Sequence, residues 1–297
     1  MTKAALRGIF SHKARLLSTI LAVMLGVAMI AGTLVLTDTL SKTFDDLFAD
    51  VFEDTDAVVR EQAAFEGPNQ TGDQRGRVPE SLVATVASVD GVALAEGNVQ
   101  GYAQIVGKDG DPIGDPEMGA PTFGGNWSDS SELNPFTIVD GRPPQADDEV
   151  VIDKKSAGDG DLNVGDTTTV LIQGPPQEVE VVGIVKFGDA DSPGGASFAL
   201  FTTSAAQRLV AQPGTFDSIS VLADDGISQS EIAERIAQQM PQGVEVLTGA
   251  EITKESQDDI QDNLFFRDWI RRTGREATVL GTGSYFVGGA GLPAQPR

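Results

Sequence analysis

From Leu16 to Leu36 the chain reads LLSTILAVMLGVAMIAGTLVL, twenty-one residues without a charge. A helix of that length covers about 31 Å, enough to cross a hydrocarbon core of about 30 Å. The pattern then turns periodic. Leu40, Phe44, Leu47, Phe48, Val51 and Phe52 recur at helical spacing and predict an amphipathic helix over 38–54, continuing the first outward as a stalk. Asp56 to Arg60 reads as a short strand. Pro79 suits a first helical turn, with Leu82, Val83, Val86 and Val89 on one face and Asp90-Gly91 as the stop. Val92 to Val106 alternates as one long strand or two short ones.

Residues 107–135 are rich in Gly, Pro, Asp and Ser and read as a loop-rich lead into a second subdomain. Strand patterns follow at Glu149–Ile152, Thr167–Ile172, Val179–Phe187 and Ser197–Phe201. Turns at Gly141-Arg142-Pro143, Asn163-Val164-Gly165-Asp166 and Gly174-Pro175-Pro176 separate them and predict a small β-rich unit. Thr203 caps a short helix ending near Ala211, and Phe216–Leu222 is a strand. Ser228-x-x-Glu231 is a capping box opening a helix with Ile232, Ile236 and Met240 on one face, and Val244–Leu247 is the next strand. Thr248-x-x-Glu251 opens a polar helix through about Phe266, expected to return and pair with the stalk stripe.

The predicted fold class is therefore α+β. An N-terminal basic lead-in (1–15) and transmembrane helix (16–37) are followed by the outer stalk (38–54). An αβ half (55–106) and its partner half (216–247) flank an inserted β-rich subdomain (107–215), and a return stalk (248–266) precedes an aberrant tail (267–297). The lead-in, with Leu6, Ile9 and Phe10 among Lys3, Arg7 and Lys13, is either a basic amphipathic helix on the inner membrane surface or a plain extension of the membrane helix.

Charge orients this plan. The chain has 21 basic and 44 acidic side chains, a net charge of −23. Lys3, Arg7, Lys13 and Arg15 precede the apolar run and no acid does. Basic flanks stay in the cytoplasm, so the N-terminus is placed inside the plasma membrane and the acidic domain outside. A cleaved signal peptide would have an apolar region of about 7–15 residues and an A-x-A-like site. This run is longer, and Ala28-Met29-Ile30-Ala31-Gly32 is a poor cleavage site, so an uncleaved anchor in the bilayer fits better. The acidic balance argues against nucleic acid as a partner. With no cysteine, no disulfide braces the outer domain.

Candidate chemistry is sparse, and no catalytic, cofactor or metal residue is assigned. His12 is the only histidine and precedes the apolar run, which excludes a Ser-His-Asp site outside. No P-loop motif occurs. The chain is not expected to be an enzyme or to carry a cofactor. Asp159-Gly160-Asp161-Leu162-Asn163 begins like a calcium loop, but Val164 stands where the loop needs Gly and Val170 where it needs Glu, which favours a turn between strands. Trp127 reads as a loop anchor rather than a ligand platform. Ala22/Gly26 and Ala28/Gly32 are small-xxx-small pairs suited to helix packing in a membrane.

From Arg267 the composition changes. Residues 267–297 contain five arginines, two acids and six glycines without a usable period. A disordered tail and a reading frame lost near Phe266 both account for this change; an intact frame on resequencing would exclude the second.

Several runs, in order, resemble the FtsX/MacB-type permeases of ABC transporters. Leu6–Thr39 is similar to the family's first transmembrane helix. Thr37-Asp38-Thr39-Leu40 and Thr43-Phe44-Asp45-Asp46-Leu47-Phe48 resemble a run of its actinobacterial members. Gly141-Arg142-Pro143-Pro144, Asp148-Glu149-Val150-Val151-Ile152-Asp153, Leu162-Asn163-Val164-Gly165-Asp166 and Val181-Val182-Gly183-Ile184-Val185 resemble its extracytoplasmic core. The resemblance implies an αβ porter-like domain with an inserted β-rich subdomain, carried on two stalks. It also implies a cytoplasmic ATPase subunit, a second permease and mechanotransmission. The family's second to fourth transmembrane helices do not follow Phe266, so the chain is expected to be C-terminally truncated and not competent alone. The alternative is a single-pass anchored module whose outer domain binds a protein or envelope ligand without ATP.

Overall fold

The computed structural model describes residues 21, 24–32, 55–63, 75–114, 121–192 and 196–255. In chain order the first elements are β1 (Ala57–Glu61), β2 (Val78–Pro79), α1 (Ser81–Ala87), β3 (Val92–Asn98), β4 (Gln100–Ile105), β5 (Thr122–Asn126) and β6 (Phe136–Gly141). Then come β7 (Glu149–Asp153), α2 (Lys154–Asp159), β8 (Thr167–Ile172), β9 (Gln177–Phe187), β10 (Ser197–Phe201) and α3 (Thr203–Leu209). The last are β11 (Thr215–Phe216), β12 (Ser218–Ala223), α4 (Gln229–Ala237) and β13 (Val244–Thr248). They form two compact units. Among the described residues, one joins Thr55–Asn98 to 214–255, and the other contains Val99–Pro213.

The first unit is a four-stranded antiparallel sheet in the order β13-β1-β12-β3. β1–α1–β3 and β12–α4–β13 are two strand–helix–strand halves, and each half's strands are separated by a strand of the other. That is the split, ferredoxin-like arrangement. Period-two alternation sends Ala57, Val59, Ile219 and Val221 to one face, where they are fully buried. Val86 of α1 and Ile232 and Ile236 of α4 are buried as completely. Each such aliphatic side chain contributes about 1.5–3 kcal/mol. α1 has only seven residues and is too short to persist alone, so its docked Leu82 and Val86 account for its existence. Ser228 caps α4 by accepting from the Glu231 N–H.

The second unit is a ring. Its strands run β6-β9-β7-β10-β5-β4-β8, and β8 also pairs with β9, which closes six strands on themselves. β9 is long enough, at eleven residues, to pair with β8 through its first half and with β6 through its second. Closure removes free edges. β6 remains outside the ring, and a register irregularity at Val139 followed by Asp140 interrupts its pairing. Ile105, Val150, Ile152, Val170 and Phe201 are among the fully buried residues of the unit.

Several sequence expectations are corrected. Val92–Val106 is two strands in different sheets: β3 pairs with β12, whereas β4 pairs with β5 and β8 in the ring. Residues 99–106 therefore leave the αβ half to which the sequence assigned them. Pro79 lies in β2, paired with Thr215, and not in the helix; Glu80 is the N-cap residue. The loop-rich stretch contains β5, and β6 and α2 were not anticipated. In β5, a Cβ on Gly124 would sit 2.6 Å from the Ala103 Cβ, so the glycine there marks close packing rather than a loop.

Of the apolar N-terminal run, residues 21 and 24–32 are described and helical. Among the described residues no helix is long and apolar enough to cross a membrane. The lead-in at 1–15, the stalk at 38–54, the return helix beyond 255 and the tail at 267–297 lie outside the described residues.

Candidate functional site

The four-stranded sheet receives the chain at Thr55 and releases it after Thr248, and the two points are stitched together. The Gly249 N–H donates to the Asp56 carbonyl at 2.9 Å, and the Asp56 N–H to the Val221 carbonyl at 2.9 Å. The Asp56 carboxylate accepts from the Ala223 N–H at 2.8 Å. Gln229, the first residue of α4, accepts from the Ala250 N–H at 3.1 Å and donates to the Thr55 carbonyl at 3.4 Å. A Cβ on residue 249 would overlap the Thr55 carbonyl oxygen, so the strands approach this closely only because glycine stands there.

A helix begins at once, over 249–255 in the described chain. Its capping box is reciprocal: the Thr248 N–H donates to Glu251 at 2.8 Å, and the Glu251 N–H donates to the Thr248 hydroxyl at 3.2 Å. The Thr248 N–H, and the Thr248 hydroxyl donating at 2.9 Å, hold the Glu251 carboxyl below its ordinary range.

One turn further on lies a four-residue ionic cluster. Arg60 donates from Nε to Glu245 at 2.7 Å and from a terminal nitrogen to Glu255 at 2.5 Å. Arg75 donates to Glu255 at 3.1 Å and also pairs with Glu245. Strand register places Arg60 opposite Glu245 in β1 and β13. Burial works against the Arg60 charge, yet the hydrogen bonds and charges of Glu255 and Glu245 raise its pKa above the ordinary arginine value. The cluster thus joins β1, β13, the segment at Arg75 and the outgoing helix. The sequence hinted at it only through Arg60, a charge within an otherwise apolar strand; the partners lie far away in the chain.

The ring unit's motif residues are engaged locally. Arg142 grips Glu149 with two nitrogens, at 2.8 and 2.5 Å, and Glu149 also accepts from the Gln145 and Ala146 N–H groups. Arg142 foremost, with those N–H groups, brings the Glu149 pKa down to about 2. Asp153 caps α2, accepting from the Ser156 N–H and hydroxyl at 2.9 and 2.6 Å and from the Phe198 N–H at 2.8 Å. Burial raises its pKa despite these donors. Asp166 closes its turn on the Asn163 N–H at 2.7 Å and pairs with Lys108 at 2.7 Å.

The remaining sequence candidates are scattered. Asp159 ends α2 and pairs with Lys155 one turn earlier. Asp161 adopts φ +51°, and Leu162 is buried. Trp127 is half-buried and packs on the cluster of Val151, Val182, Val185 and Leu200. Gly26, Ala28 and Gly32 lie on the exposed N-terminal helix, while His12 and Ala22 are outside the described residues. Among the described residues no group of three or more His, Asp or Glu side chains could hold a metal ion.

The description "MacB-like periplasmic core domain" matches residues 16–239. The chain belongs to this family. The match extends from the apolar run through both units to the end of α4. The MacB-like chain is also similar to two solved structures. One is the periplasmic region of MacB from Actinobacillus actinomycetemcomitans, at 13% identity, covering 67% of this chain and 91% of that one with a TM-score of 0.48. The other is the extracellular domain of the noncanonic ABC-type transporter YknZ from Gram-positive bacteria, at 16% identity, covering 64% and 98% with a TM-score of 0.43. No curated protein sequence matches the MacB-like chain.

Proposed function

We propose that this chain is the membrane-anchored extracytoplasmic core of a permease subunit in an FtsX/MacB-type ABC transporter. The family match over 16–239 carries the reading. Two further features support it. Leu21, Met24, Leu25, Val27, Met29 and Ile30 are all more than half exposed on the helical N-terminal segment. Apolar side chains bare at so many successive positions call for lipid or another helix as surroundings. The incoming and outgoing strands of the four-stranded sheet are also fastened to each other, so displacement of one segment pulls on the other.

In this reading the acidic units face outward and the basic lead-in faces the cytoplasm. The work comes from a separate ATPase subunit, and the domain itself has no catalytic task. Topology is tested with single cysteines, since the chain has none of its own. Asp109→Cys should react with a membrane-impermeant maleimide on intact cells, and His12→Cys only after permeabilisation. The reverse pattern would overturn the orientation. Co-purification of an ABC ATPase with the full chain from its native membrane is the expected partner result. A stable anchored chain that never retains an ATPase would instead identify an interaction module without ATP coupling.

A further inference from the structure

The outgoing helix has an unusual balance of restraints. At its start Gly249 is buried and bonded to Asp56, and Ala250 is bonded to Gln229. From 250 to 255 no residue is buried; Ile252, Thr253 and Glu255 are half-buried and the others exposed. Beyond its own cap, the stretch is tied by charge through Glu255 to Arg60 and Arg75, and Ile252 makes a further interaction. Lys254 has further interactions of its own. The sheet beneath is different: Ala57, Val59, Ile219 and Val221 are wholly buried, and opening there would expose the core.

From this we infer that residues 249–255 form a strap, hinged at Gly249 and latched at Glu255 by Arg60 and Arg75, that detaches from the sheet without unfolding it. The latch side chains retain between 11% and 33% of their exposure, so water and salt reach them. Glu245 gives the latch its second state: it bonds both arginines independently of Glu255, so neither arginine is left unpaired when Glu255 departs. That removes most of the usual cost of breaking a half-buried ion pair, which is the orphaned charge. The hinge bond of Gly249 itself is a backbone bond to Asp56, and the Gln229 side chain holds the next N–H, that of Ala250. The latch stands on geometry alone and does not depend on the permease reading above.

Backbone amide exchange on the full chain in lipid nanodiscs tests the strap. Glu255→Gln should accelerate exchange at 250–255 by about tenfold, the equivalent of roughly 1.4 kcal/mol, while β1 and β12 keep their protection. In the parent chain 1 M salt, where the screening length falls to about 3 Å, should do the same, and the variant should respond little. Arg75→Gln, which leaves Arg60 in place, should give a smaller acceleration in the same segment. Unchanged exchange at 250–255 in both variants and in salt would overturn the latch. Equal acceleration across β1 and β12 would overturn it too, since the cluster would then be a brace for the whole sheet. No ATPase is needed, so failure here is separate from failure of the transporter assignment.

Discussion

Each unit contains an arginine–glutamate cluster, and the two are built on opposite length scales. In the ring, Arg142 and Glu149 are seven residues apart and close a single loop. In the four-stranded unit, Arg60 meets partners 185 and 195 residues away, and Arg75 meets the same two at 170 and 180. Coulomb attraction at contact is similar in both. What differs is the consequence of losing it. A broken local pair returns a surface loop to water while its flanking strands stay paired. A broken distant cluster releases chain segments that only tertiary structure brought together. The worth of an ion pair therefore depends on what it closes.

The largest expected effect follows from removing the most buried member of the distant cluster. Arg60→Met keeps much of the apolar stem but leaves Glu245 and Glu255 sharing Arg75 alone. Loss of charge-assisted hydrogen bonds of this kind costs about 1.5–3 kcal/mol, and calorimetric unfolding of the full chain should show it. A loss no larger than that of a surface pair would break the contrast between the two clusters.

An intermediate effect is expected at Asp153, the buried cap in the ring. Asp153→Asn puts an amide N–H where the Phe198 or Ser156 donor now points, a mismatch of about 1–3 kcal/mol. The pH response sharpens the comparison. Burial raises the folded-state pKa of Asp153 above its unfolded value. Its contribution to stability is therefore fully present below the unfolded pKa and declines as pH rises through the folded one. The variant should lack that decline in a pH series of melting temperatures. A parent chain whose Asp153-dependent stability instead increased with pH would contradict the burial argument.

These examples also show what the sequence could express. The box at Thr248 and Glu251 and the cap at Ser228 are made between neighbours three residues apart, so spacing alone revealed them. β8 and β10 announced themselves through β-branched and apolar runs bounded by turns. β5 did not, because Gly124 and Gly125 look like a loop until Ala103 and Val99 are seen packed against them. α2 is six residues long and begins where a strand ends, so no periodicity could develop. The passage from β3 to β4 was hidden for another reason: Val99 alone separates the two strands, so the change of sheet takes no loop of its own. The cluster around Arg60 was out of reach because strand register and a returning helix, not sequence proximity, assemble it. What was legible in the candidate site was its cap; what was hidden was its latch.

The smallest effect is expected at Glu149. Its pKa is brought down from 4.5 to about 2, first by Arg142 and then by the N–H groups of Gln145 and Ala146. A depressed folded-state value means the contribution is fully present above the unfolded pKa and is lost as pH falls from about 4.5 toward about 2. That slope is opposite in sign to the one at Asp153, four positions along the same run. Arg142 is 45% exposed, however, so solvent screens the pair, and Glu149→Gln should cost less than about 1 kcal/mol at neutral pH. The glutamine still accepts the backbone N–H groups through its oxygen, which keeps the loop closed. The variant should flatten the acid limb of the stability profile between about pH 4.5 and 2 and leave amide exchange at 250–255 unaltered. Should it destabilise the chain as much as Arg60→Met, sequence separation would not govern the worth of these clusters, and the loop at Arg142 would have to be closing something larger than itself.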